Sequence, residues 1–166
     1  MYNREKGVIE MKKYLPKLIG IINVLMLLAG CVMCILWVPE AVEHITSVCP
    51  ALHGMSVPVY TAFGLVSAPI FTVFVMSFGF VPAFERDSVF DRSVARLIKS
   101  IALVIFFDCI IFGALSAVIF GMGERLVSPL FVLIALMGIT VSVMLLILAD
   151  HVLRASELKE EVEGTI

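Results

Sequence analysis

Residues 18–38 read LIGIINVLMLLAGCVMCILWV, and this stretch decides the fold because it contains no charged side chain. The hydrocarbon core of a bilayer is ~30 Å thick, so a helix that rises ~1.5 Å per residue needs roughly 20 apolar residues to cross it. Three further stretches reach that length, at about residues 59–84, 101–122 and 129–149, and the third is interrupted once, by Asp108. The sequence therefore predicts an all-α fold, an integral membrane four-helix bundle.

The composition of the whole chain supports the same class. The 166 residues are 61% hydrophobic and 16% charged, and the mean hydropathy is +1.09. A soluble domain of this size could not cover so much apolar surface with polar groups. No basic block suggests direct nucleic-acid binding, and the four cysteines do not form the framework of a disulfide-rich secreted domain. We predict a single membrane domain over residues 1–166 with a cytoplasmic C-terminal helix and tail at 150–166.

Basic residues are distributed unequally between the two sides of the predicted bundle. Cytoplasmic segments of membrane proteins carry an excess of lysine and arginine. One side has only Arg125, whereas the other has Arg4, Lys6, Lys12, Lys13, Lys17, Arg86, Arg92, Arg96, Lys99, Arg154 and Lys159. This asymmetry predicts that both termini are cytoplasmic.

The three connections differ in character. Residues 39–58 are predicted as a polar outer loop, residues 85–100 as a charged, helix-forming inner segment, and residues 123–128 as a short turn. Ser88 and Asp91 have the spacing of a helix N-terminal cap. Arg154 and Glu157 have the spacing of a helical ion pair.

Asp108 is the strongest single candidate for a functional residue. A carboxylate within a membrane helix costs ~2.5–3.5 kcal/mol on insertion scales, so it normally faces the bundle interior with a polar partner. Hydroxyl and amide groups fall at similar depths on the other helices, which predicts an intramembrane polar site made of Asp108, Asn23, Thr72, Thr140 and Ser142. This site is either a structural polar cluster or a site for a proton, an ion or a small ligand.

The inner segments are candidates for binding a soluble protein. Apolar residues recur at helical spacing from Phe90 to Ile101, and the charged residues fall mostly on the other side. The alternative is a helix extension lying against the lipid headgroups. The residues predicted to contact a partner are Phe90, Arg92, Arg96, Lys99, Glu157, Lys159 and Glu160.

The sequence also contains residues that could support thiol redox chemistry or metal binding. Cys31 and Cys34 could form a redox pair, but a thiol oxidoreductase needs a second thiol pair in an outer loop, where Cys49 stands alone. The side chains that could ligate a metal are Glu40, Glu43, His44, Cys49 and His53, and their spacing matches no tight zinc pattern. We predict no metal and no cofactor.

Two stretches carry a family resemblance. Residues 84–104, FERDSVFDRSVARLIKSIALV, and residues 148–166, LADHVLRASELKEEVEGTI, resemble segments of small bacterial four-span membrane proteins, the domain of unknown function numbered twenty-nine seventy-five. In that family a Phe in a polar turn precedes a basic helix start, and a C-terminal helix of the type ELKEE is followed by an acidic turn and Thr-Ile or Thr-Val. The resemblance implies the bacterial cytoplasmic membrane as location. The genes of this family are often neighbours of small helix-turn-helix regulators. The resemblance therefore implies a transcription factor as partner.

We therefore predict a non-enzymatic membrane regulator or sensor whose cytoplasmic face engages a small helix-turn-helix transcription factor. The alternative is an oligomeric transporter, channel or lipid-binding subunit that uses the intramembrane Asp108. A thiol oxidoreductase is the third hypothesis. The predicted partners are the lipid bilayer, a small DNA-binding regulator and further copies of the chain, without direct contact to nucleic acid.

Overall fold

The computed structural model describes residues 2–48, 52–85, 90–121 and 128–163. All regular elements in these ranges are α-helices. They are α1 (Tyr2–Val48), α2 (Ser56–Ser77), α3 (Phe80–Glu85), α4 (Arg92–Gly121) and α5 (Ser128–Glu163).

Four helical segments are long and apolar enough to cross a membrane. Their mean hydropathies lie between 2.0 and 2.9, and they cover Pro16–Ser47, Ser56–Glu85, Arg92–Gly121 and Pro129–Val162. The predicted all-helical class and the four apolar helices are therefore confirmed. Each segment is longer than the ~20 residues that a bilayer core requires, so every one of these helices can extend beyond the hydrocarbon.

The first helix is longer than predicted. The prediction of a polar loop from residue 39 is wrong as far as Val48, because α1 continues through Pro39 to that residue. Proline is tolerated inside a membrane helix where other groups satisfy the freed backbone. Val42, one turn further on, is only 1% exposed, and the Thr46 hydroxyl donates a hydrogen bond to its carbonyl oxygen at 2.9 Å.

The second predicted span is interrupted near its C-terminal end. The chain turns at Phe78 and Gly79, so that α2 and α3 replace one continuous helix. A Cβ atom on Gly79 would lie 2.8 Å from Cδ2 of Leu97 on α4 and 3.1 Å from the Met76 carbonyl oxygen. Glycine therefore allows the close approach of this turn to α4, where a larger residue would displace the Leu97 side chain.

The helices form an open bundle. Extensive contacts join α1 to α2, α2 to α4 and α4 to α5, and α1 also packs against α3. Gly30 of α1 faces the Phe71 ring of α2, and Gly20 of α1 faces Val81 of α3. The contact between Gly20 and α3 places the N-terminal part of α1 at the same end of the bundle as the start of α4 and the end of α5.

The α4–α5 pair is the most extensive contact in the described part of the chain. Small residues recur every seven positions on both helices, and all of them are buried: Ala95, Ala102, Cys109 and Ser116 on α4, and Ala135, Ser142, Ala149 and Ser156 on α5. A seven-residue repeat keeps one seam of a helix facing its partner, and small side chains allow the two backbones to approach closely. The two helices are antiparallel, since Ala102 meets Ser142 whereas Cys109 meets Gly138.

A buried apolar cluster lies at the end of this pair that holds the start of α4 and the end of α5. It joins α3 to α4 and α5 through Ala83, Val94, Ala95, Ile98, Ala149 and Val152, with Phe80, Leu145 and Leu153 packed against it. The short helix α3 therefore covers the α4–α5 seam where both helices approach their charged ends.

Candidate functional site

The charged ends of α4 and α5 lie side by side. Arg92 Nη2 is 3.1 Å from Glu160 Oε2, and Lys159 Nζ is 3.9 Å from Asp91 Oδ1. Asp91 directly precedes α4, and its carbonyl oxygen accepts hydrogen bonds from the N–H groups of Val94 and Ala95. We call residues 90–99 and 150–163 together the ion-pair end.

Apolar packing contributes most of the free energy that holds the charged end of α4 against that of α5. Both ion pairs are about half exposed, and exposed pairs contribute ~0–1 kcal/mol each. Val94, Ala95, Ile98 and Val152 are buried in the cluster beneath them. The cluster therefore holds α4 against α5, and the ion pairs align the charged segments above it.

The structure brings the predicted partner-binding residues to one end of the molecule and leaves most of them accessible. Arg92 and Glu160 pair with each other, and Lys159 pairs with Asp91. Large apolar side chains are exposed beside them, with Phe90 56% and Leu158 64% exposed. The other exposed members of the predicted set are Arg96, Lys99 and Glu157.

Two local predictions for these segments have different outcomes. Arg154 pairs with Asp150 at 2.9 Å, one turn back along α5, and not with Glu157 as predicted. The N-terminal cap predicted at Ser88 lies outside the described residues. The continuation of α5 beyond Asp150 as a helix is observed as far as Glu163.

The structure does not gather the predicted polar groups around Asp108. One carboxyl oxygen of Asp108, Oδ1, is buried and has no hydrogen-bond partner among the described residues. The other members of the predicted set are bonded elsewhere or lie on another helix. Thr72 donates to the Ala68 carbonyl, Thr140 to Leu136 and Ser142 to Ala102, and Asn23 is half-buried on α1.

Asp108 and the predicted polar groups do not come together because residues at a similar depth in the membrane can point in different directions around their helices. Thr72 and Thr140 are exposed and bond the carbonyl four residues earlier in their own helix, which is a common arrangement for hydroxyl side chains in helices. Ser142 points into the α4–α5 seam, and Asp108 lies beside that seam rather than within it. The functional role of Asp108 remains a prediction.

The cysteines are spread over the fold. Cys31, Cys34 and Cys109 are free thiols, and Cys109 is buried in the α4–α5 seam. Cys49 lies outside the described residues. Within the described residues, no three potential ligands lie close enough together to hold a metal ion.

A groove between α2 and α4 was not predicted from the sequence. Its volume is about 480 Å³. It is lined by Leu65, Ala68, Pro69 and Thr72 of α2 and by Leu103, Val104, Phe107 and Ile111 of α4. The sequence signal for it is weak, because apolar residues on a membrane helix do not distinguish a groove from an ordinary lipid-facing surface.

Four long apolar helices, of which α4 and α5 pair through small residues, indicate a multi-pass membrane protein. The chain belongs to the family described as "Protein of unknown function (DUF2975)", which matches residues 40–166 and is the family that the two resembling stretches suggested. The match covers α2 to α5 and the last turns of α1. No curated protein and no solved structure matches the chain.

Proposed function

We propose that the protein is a non-enzymatic regulator or sensor in a bacterial cytoplasmic membrane, and that its ion-pair end faces the cytoplasm and binds a small helix-turn-helix transcription factor. The observation that carries this proposal is the exposed, acidic end of α5, which the buried cluster and two ion pairs hold against α4. A folded surface of this kind can bind a partner without first being ordered.

The charge of this surface suits a DNA-binding partner. Residues 150–163 contain five carboxylates and two basic residues, Arg154 and Lys159. DNA-binding proteins carry a basic surface, and complementary charge guides such partners together. Leu158 and Val162 provide exposed apolar area among these carboxylates. An acidic surface with apolar contacts could therefore compete with DNA for the partner.

The proposed orientation follows from the distribution of basic residues. Ten of the 12 basic side chains belong to the ion-pair end or to the N-terminal segment. Contact between Gly20 and Val81 brings that N-terminal part of α1 toward the same end. An excess of lysine and arginine favours the cytoplasmic side, so both termini are placed there.

A capture experiment tests the proposed partner. The full chain in mild detergent is immobilised, incubated with extract of its own cells, and the bound proteins are identified by mass spectrometry. We expect a small helix-turn-helix protein to bind the native chain. We expect the E157K/L158A variant to recover at least tenfold less of this helix-turn-helix protein, because both side chains are exposed on the acidic end of α5.

The matched control is E43K/V57A, which makes the same kinds of change on exposed residues at the opposite end. This control should bind the regulator as the native chain does. Equal recovery by both variants, or recovery of no DNA-binding protein by the native chain, contradicts the proposal.

A second candidate function is favoured by the buried, unpartnered Oδ1 of Asp108. A carboxyl group in this position is costly unless a proton, an ion or a polar group from a ligand satisfies it. The protein would then be an oligomeric transporter or channel, since a pore formed by only four membrane helices requires several copies.

Flux measurements test this second candidate. Proton or monovalent-cation flux into liposomes that contain the protein should fall to the background of empty liposomes in the Asp108→Asn variant. Asp150→Asn serves as the control, because Asp150 is exposed at the end of the bundle. Undiminished flux in Asp108→Asn would show that Asp108 takes no part in transport. Absence of flux in the native protein would contradict the transporter or channel function.

A further inference from the structure

Two cations of the ion-pair end have no carboxylate partner among the described residues. Arg92 and Lys159 are each engaged with a carboxylate, whereas Arg96 and Lys99 form no ion pair with any described carboxylate. Arg96 Nε donates to the Arg92 carbonyl oxygen at 3.4 Å, which uses only one of its donors. Both side chains are exposed, so two cations lie close together on the surface of α4.

Arg96 and Lys99 lie on α4 about one to two turns before the residues that line the groove between α2 and α4. Arg96, Ser100, Leu103, Phe107 and Ile111 follow one another at spacings of three or four residues and therefore share one face of α4. The last three line the groove. Lys99 and Ser100 precede Leu103 by one helical turn, so a group held by Lys99, Ser100 and Arg96 would stand at the mouth of the groove.

The groove has the dimensions and the surface of a site for an acyl chain. From Leu103 to Ile111 it extends for ~12 Å along α4, which is most of one leaflet of a core ~30 Å thick. Thr72 is the one polar side chain in the lining, and its hydroxyl already donates to the Ala68 carbonyl. A hydrocarbon chain would therefore meet no unsatisfied polar group of the lining side chains.

We propose that this site binds a phospholipid with an anionic headgroup, with the phosphate at Arg96, Lys99 and Ser100 and one acyl chain in the α2–α4 groove. A basic site next to an apolar groove between membrane helices matches both parts of such a molecule. A soluble anion would use the cations and leave the groove empty, and a neutral lipid would leave the cations without a partner. This proposal does not depend on the proposed regulatory function.

The headgroup contact is tested by titration. The full chain in a neutral detergent is titrated with short-chain phosphatidylglycerol, and binding is followed by thermal stabilisation and by native mass spectrometry. We expect R96Q/K99Q to weaken the apparent affinity roughly 20- to 30-fold, because each basic residue near a phosphate contributes a factor of about five. K17Q removes one positive charge from an exposed residue of α1 and should retain the native affinity.

The acyl-chain contact needs a variant that leaves the charge unchanged. Ala68→Leu places a larger side chain in the groove and should weaken phosphatidylglycerol binding roughly tenfold, which corresponds to about two displaced methylene groups. Ala117→Leu adds the same volume at an exposed position outside the groove and should have no effect.

Three outcomes would overturn the proposal. The first is equal affinity for phosphatidylglycerol and zwitterionic phosphatidylcholine in the native protein, and the second is native affinity in R96Q/K99Q or in Ala68→Leu. The third is equal stabilisation by inorganic phosphate at the same concentration, which would identify a simple anion site that makes no use of the groove.

Discussion

Replacing Gly138 by alanine should destabilise the protein by about 1–3 kcal/mol, the usual cost of adding a carbon atom to a closely packed seam. A Cβ atom on Gly138 would overlap Sγ of Cys109, which is buried between α4 and α5. Because the seam is lined with small residues on both helices, either the Cys109 side chain must rotate or α5 must move away from α4. The measurement is the free energy of unfolding in mixed micelles, with the thermal midpoint in detergent as a second readout.

Two comparisons show whether the overlap with Cys109 is the cause. Gly113→Ala makes the same substitution on α4 where no atom lies within 4 Å of the new Cβ, and it should change stability by less than about 0.5 kcal/mol. Cys109→Ala removes the sulfur atom, so Gly138→Ala in that background should cost much less than it does alone. Equal costs of Gly138→Ala in both backgrounds would disprove the direct contact.

Ser142→Leu should have the second large effect, about 3 kcal/mol or complete loss of the folded protein. Ser142 is fully buried at the centre of the α4–α5 seam, and its hydroxyl donates a hydrogen bond to the Ala102 carbonyl oxygen at 2.8 Å. Leucine adds three carbon atoms at a place where the two backbones are close, and it removes the hydrogen bond.

The corresponding alanine variant separates packing from hydrogen bonding. Ser142→Ala removes only the hydroxyl, and hydrogen bonds between membrane helices contribute ~0.6 kcal/mol on average. We therefore expect a small loss for alanine and a large one for leucine, measured by the same unfolding assay. A loss for alanine as large as that for leucine would mean that the hydrogen bond, and not the close approach, holds the pair together.

Most of the fold was predictable because crossing a bilayer imposes a minimum length of apolar sequence. Residues 18–38, 101–121 and 129–149 all lie within observed helices. Hydropathy does not determine where a helix ends in water, so the extension of α1 to Val48 and the break at Phe78 and Gly79 were not predicted. Val42 is buried in the extension of α1, and Gly79 at the break lies close to Leu97.

The pairing of α4 with α5 could have been found in the sequence. Ala95, Ala102, Cys109 and Ser116 recur at intervals of seven, as do Ala135, Ser142, Ala149 and Ser156. Gly113 and Ala114 of α4 are exposed, whereas Ser116 and Gly138 lie in the seam. The residues at the ion-pair end were predicted one by one, but only the structure shows that Arg92 pairs with Glu160.

The position of α3 determines how the first helix can influence the rest of the molecule. This six-residue helix packs against α1, and its Ala83 belongs to the apolar cluster beneath the charged ends of α4 and α5. A helix longer than the local bilayer adapts to a change in thickness by altering its tilt. A change in the tilt of α1 would therefore act on that cluster through its contact with α3, in addition to its contact with α2.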